Sequence, residues 1–168
     1  FYAALRSLPQ SVTKLIVTHV SADGARQERG ASSPVGLRWV NNYGRSNWEL
    51  RADRDDRSGC LDVAMYHRKA NGFALQPPVG LRYSFDPTDG AIGVERFDVL
   101  SNVVLIAHGS ANDQIIGFLR DGPSDLDGVC DATGLKRNVC RARLSTLSKM
   151  GQIRRAASGA WCLNGTAV

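Results

Sequence analysis

No stretch of this sequence approaches the roughly 20 apolar residues that a membrane-spanning helix needs, so its 168 residues encode no such span. Histidine is scarce, and His19, His67 and His108 are too scattered to build a catalytic centre. His108 opens "HGSAND", where Ser110 and Asp113 follow, but neighbours in sequence are not neighbours in a triad, and "HGS" is not the G-x-S-x-G elbow. An ordinary loop histidine is expected there. The four cysteines, Cys60, Cys130, Cys140 and Cys162, have no CxxC spacing and no adjacent histidine pair, which argues against a zinc site. A phosphate-cradling loop, a paired-carboxylate site and a dinucleotide fingerprint are also missing. No enzyme activity, cofactor or metal is therefore expected.

Acidic residues run out early. Asp131 is the last Asp or Glu, and residues 132–168 carry Lys136, Arg137, Arg141, Arg143, Lys149, Arg154 and Arg155, a local charge of +7. The preceding 131 residues hold 14 bases against 16 acids and come to −2, so the net charge of +5 conceals a strongly basic end. Such an asymmetry steers or binds a polyanion, or it is a solubilising surface and nothing more. Upstream, "DGPSDLDGVCD" supplies Asp121, Asp125, Asp127 and Asp131, but the place of an EF-hand's bidentate acid falls on Lys136. Solvated Asp/Gly turns are the expectation, with an irregular calcium loop as the alternative.

What is present reads as one α+β domain over residues 1–168. Its apolar fraction of 43% and charged fraction of 22% are those of a globular chain. An amphipathic helix is expected over about 8–29, with Ser7 as cap, Pro9 in the first turn and Leu8, Val12, Leu15, Ile16 and Val20 along one stripe. A β-rich body over about 35–163 is expected after it. Candidate strands are 35–40, 47–52, 61–67, 80–85, 102–107, 114–120, 140–148 and 151–155, separated by turn signals such as "DRSG", "DPTDG" and "SKMG". The order predicts an antiparallel meander with the helix packed on one face. In 140–148 the alternation would turn Ala142 and Leu144 inward and Arg141 and Arg143 outward.

An even cysteine count in a small domain fits two disulfides and an oxidising compartment, with four buried thiols as the alternative. Three pairings are open. Joining Cys130 to Cys162, and hence Cys60 to Cys140, would tie the C-terminal tail to the body.

Two segments carry a resemblance. "ADGARQERGASSPVGLRW", and the closing run of "IIGFLRDG", "CDATG" and "RARLSTLSKMGQIR", are similar to the GspH/FimT family of minor type IV pilins and type II secretion pseudopilins, in the right order over residues 8–155. The resemblance implies a pilin-like fold without catalysis. It also implies a hydrophobic anchoring helix upstream of Phe1, inner-membrane attachment with a periplasmic domain, and assembly with other minor and major pilins near a filament tip. The isolated domain would be monomeric. Some members of that family bind DNA through a C-terminal Gly-Arg-x-Arg motif. Gly151 and Arg154 match it, Gln152 replaces the first arginine, and Arg141, Arg143, Lys149 and Arg155 supply further positive charge for phosphates. The candidate nucleic-acid-binding residues are thus Arg141, Arg143, Lys149, Gln152, Arg154 and Arg155.

Overall fold

A computed structural model of the chain describes residues 44–55 and 57–165, together with residues 7, 9, 11 and 13–18. From residue 46 four strands form one sheet: β1 (Ser46–Asp55), β2 (Cys60–Ala70), β3 (Val79–Phe85) and β4 (Ile92–Phe97), all antiparallel and ordered 1-2-3-4. A single 3-10 turn, Val99–Ser101, leads into four helices: α1 (Val103–Ile106), α2 (Ala111–Arg120), α3 (Leu126–Thr133) and α4 (Arg137–Lys149). A short hairpin, β5 (Ile153–Arg155) with β6 (Trp161–Leu163), closes the described chain. The fold is α+β, as expected.

The expected strands at 47–52, 61–67 and 80–85 lie inside β1, β2 and β3. Their period-2 patterning and the turns between them sufficed. β4 is a further strand that the sequence reading does not include.

Beyond Phe97 the β-rich body gives way to helix. The expected strand at 102–107 is the short helix α1, 114–120 lies in α2, and 140–148 lies in α4; of 151–155, only Ile153–Arg155 is a strand. An apolar run of four to seven residues does not by itself separate a strand from a buried helical face. Local signals decide. Ser110 and Asp113 form a capping box at the start of α2, with Ser110 N donating to Asp113 Oδ2 over 2.9 Å and Asp113 N to Ser110 Oγ over 3.2 Å. Asp125 caps α3 by accepting from Gly128 N at 2.8 Å. Gly134 ends α3 in the left-handed region, φ 65°, where a side chain is disfavoured. In α4 the buried residues are Cys140, Leu144 and Leu147, spaced four and three apart, and Ala142 is exposed rather than inward.

The strand expected at 35–40 and most of the helix expected over 8–29 lie outside the described residues. Residues 13–18 are described and have no regular secondary structure. Six of the ten residues 11–20 are β-branched, which lowers helix propensity through lost χ1 freedom.

Two cores result. Ile115, Leu119, Val129, Cys140, Leu144, Leu147 and Ile153 join the last three helices to the hairpin. Ala64, Tyr66, Val99 and Leu105 join the sheet to α1. The Tyr66 hydroxyl donates to the Leu105 carbonyl, and Arg120 of α2 pairs with Asp98 at the end of β4. Gly117 permits a close approach, since a Cβ there would lie 3.0 Å from Ile106 Cδ1.

All four cysteines are free thiols. The expected partners are in different places: Cys60 opens β2 in the sheet, whereas Cys140 sits in the helical core beside Cys130. Burial, with Cys140 as a neighbour, pushes the Cys130 thiol up to about 11.

Candidate nucleic-acid interface

Helix α3 and helix α4, joined by the three-residue turn Gly134 to Lys136, pack into one core and have the element order of a helix-turn-helix. Three residues with Gly first is the length and composition such a turn needs. The turn is set by Gly134, whose N–H donates to the Cys130 carbonyl at 2.8 Å, and by Leu135, which packs on the core. Helix α2 braces the pair from behind through Ile115 and Leu119.

The hairpin is tied to the same unit. Ser124, between α2 and α3, bridges Trp161 in both directions, Ser124 N donating to Trp161 O at 3.0 Å and Trp161 N to Ser124 O at 2.7 Å. Ile153 anchors the other strand in the core, and Asn164 N donates to Gln152 O at 3.0 Å. The order is therefore helix, bridge, helix, turn, helix, hairpin.

Burying Cys140, Leu144 and Leu147 turns the opposite side of α4 to solvent. At 3.6 residues per turn, Asn138, Ala142, Ser145 and Lys149 run along its outermost line, and all four are exposed. Arg141 flanks this line on one side and Arg143 on the other; both are exposed. Asn138, Val139, Ala142, Arg143 and Thr146 line a shallow depression of about 260 Å³. Arg137, in the first turn, is paired with Asp127 of α3.

Arg154 and Arg155 are exposed on β5. Arg155 is partly held by its own hairpin, with Nε donating to Gly159 O at 2.9 Å and its guanidinium 5.7 Å from the centre of the Trp161 ring. Gln152 is exposed in the turn between α4 and β5.

All six candidate residues thus belong to one continuous segment, α4, the turn and β5, but on a helix and a hairpin rather than on the two strands expected. Sequence reading missed Asn138, Ser145 and Thr146, which carry no charge. The signals that would have found them are the Asp125 cap, the "TG" helix end at 133–134 and the spacing of residues 140, 144 and 147.

Elsewhere the sequence-based alternatives resolve into structural roles. Ser110 and Asp113 cap α2, and the buried His108 offers its carbonyl to Arg68 Nη2 at 2.6 Å. Of the acidic loop, Asp125 caps α3 and Asp127 pairs with Arg137. Among the described residues no group of three or more His, Cys, Asp or Glu could hold a metal ion, and no helix is long and apolar enough to cross a membrane. Comparison with protein-family models, with curated proteins and with solved structures finds no match.

Proposed function

We propose that this chain binds duplex DNA through the exposed face of α4, with the β5–β6 hairpin alongside. The observation that carries this reading is the coincidence of a helix-turn-helix with the basic end of the chain: Arg141, Arg143 and Lys149 all lie on the solvent side of its second helix. A helix with side chains is about 10–12 Å across, and the B-DNA major groove is about 12 Å wide. Helix-turn-helix proteins seat their second helix there. A-form RNA has a major groove too narrow for side chains to read, so duplex DNA is the favoured ligand. Arg141, Arg143, Lys149, Arg154 and Arg155 supply phosphate contacts, whose favourable free energy comes from releasing counterions.

Titration of a labelled DNA duplex by fluorescence anisotropy at two salt concentrations tests this. Affinity should fall with salt by a logarithmic slope of about −0.9 per phosphate contacted. The triple reversal Arg141→Glu, Arg143→Glu, Lys149→Glu should lose roughly two orders of magnitude or more at low salt, with its circular dichroism unchanged. Equal affinity in the reversed variant would sink the proposal.

A second reading, a subunit of a type IV pilus or secretion filament, is supported by one feature. One face of the four-stranded sheet exposes Leu50, Ile92 and Val94, which suits packing against another subunit. The two readings are compatible in a DNA-binding filament subunit, and co-purification with other pilins from detergent-solubilised membranes would test the second independently.

A further inference from the structure

Resting on the DNA-binding reading, we infer that Asn138 makes that binding sequence-selective by reading an adenine in the major groove, beside a thymine whose methyl group packs against Ala142 and Thr146. Three observations lead here. Charge on α4 is not uniform: Arg141 and Arg143 occupy the flanks, whereas the central line consists of Asn138, Ala142, Ser145 and Lys149. A helix meant only to neutralise phosphate gains from cations along its whole outer face. A centre that is neutral from Asn138 to Ser145, with Lys149 only at its far end, instead matches base edges between two phosphate strands.

Asn138 also stands in the first turn of α4, and residues at the N-terminal end of the second helix are the ones that reach base edges. Its side-chain amide offers a donor and an acceptor, the pair that matches adenine N7 and N6. No hydrogen bond within the described residues engages that amide. By contrast, Arg137, its neighbour, is already paired with Asp127.

One turn further on, the surface becomes small and apolar. The Thr146 hydroxyl donates to the Ala142 carbonyl at 3.0 Å, which satisfies its proton within the helix and leaves its methyl group for contact. Ala142 and Thr146 share the shallow depression with Asn138, so the polar reader and the methyl-sized surface are contiguous. Alanine and the threonine methyl are suitable partners for the thymine C5 methyl.

The test is selection of binding sites by the full chain from a randomised duplex library, followed by titration of the recovered duplex and of a version with its adenine–thymine step replaced by guanine–cytosine. The wild-type chain should prefer the recovered duplex by about 5- to 100-fold. Asn138→Ala, an exposed truncation whose folding is checked by its melting curve, should bind both duplexes alike and keep the wild-type salt slope. Salt-dependent binding with no site preference overturns this inference and leaves the DNA-binding reading standing. A preference that survives in Asn138→Ala likewise overturns it. No binding to any duplex at low salt overturns both.

Discussion

The sheet and the helix-turn-helix distribute polarity in opposite ways. In the helical unit the apolar residues point inward, and the basic side chains of α4 and β5 point to solvent. In the sheet the face toward the helices carries the ionic groups. Glu49 accepts from Arg51 Nε at 2.9 Å and Arg68 Nε at 2.6 Å, and Asp62 accepts from both Arg82 Nε at 2.7 Å and Asn102 Nδ2 at 3.2 Å. The opposite face is mostly apolar, with Arg54 beside Leu61 and Arg96 beside Leu81 as its charged members. Cross-strand pairs put Leu50 beside Met65, Ala52 beside Val63, Val63 beside Leu81, Tyr83 beside Val94, and Phe85 beside Ile92. Leu50, Ile92 and Val94 are 57–62% exposed.

The difference teaches what holds each unit together. The helical unit is stabilised by apolar burial, about 25 cal/mol per Å² removed from water. The sheet is held to α1 by the small cluster of Ala64, Tyr66, Val99 and Leu105 together with a polar network in which each group depends on its partners, so removing one member leaves the others unpaired.

Breaking the apolar side of the comparison should have the largest effect. Leu147 is fully buried at the centre of the helical core, and Leu147→Ala should cost about 2–5 kcal/mol through lost transfer energy and a residual cavity. Urea denaturation followed by far-ultraviolet circular dichroism would read it, and a loss below about 1 kcal/mol would deny that core its role. DNA affinity should fall with it, since α4 is positioned by the same residues.

Breaking the polar side comes next. Glu49→Gln keeps the shape but removes the charge that Arg51 and Arg68 share, and it should cost about 2 kcal/mol after allowing for partial solvent access at Arg68. The reverse experiment sharpens the contrast. Replacing Glu49, Arg51 and Arg68 together by apolar residues of similar volume should be less harmful than the single change.

The same network sets a pH dependence. Hydrogen bonds from Arg82, with burial opposing and Asn102 assisting, hold the Asp62 carboxyl below the ordinary carboxylate value. A carboxyl depressed in the folded state contributes stability that is complete above its unfolded pKa of about 3.9 and is lost as pH falls through the folded value. Denaturant midpoints should therefore drop below about pH 4, and Asp62→Asn should flatten that drop. An equally steep acid profile in Asp62→Asn would locate the titrating group elsewhere.

A smaller effect is expected at the turn. Gly134→Ala forces a side chain into the left-handed region and should cost about 1 kcal/mol. Anisotropy titration should show a proportionally larger loss of DNA binding than of stability if the turn sets the angle of α4. Equal losses would mean that the turn acts on stability alone.

Residues 46–85 were legible because their patterning repeats every second residue over long strands, with Asp- and Gly-rich turns between them. The basic end was legible too, since charge is counted without knowing a conformation. Residues 102–148 were misread because their apolar runs are short. The deciding information lay in single capping residues, Ser110, Asp125 and Gly134, rather than in the runs.

Composition and order by themselves determined the strands within residues 46–85 and the positive charge gathered after Asp131, because charge and strand periodicity are local properties. Only the tertiary structure decided that Arg141 and Arg143 flank a helix, with Asn138 on the line between them. Packing of Cys140, Leu144 and Leu147 against α2 and β5 fixes how α4 is rotated about its axis. The residues of that core come from four separate elements, α2, α3, α4 and β5, and no local pattern specifies how these meet.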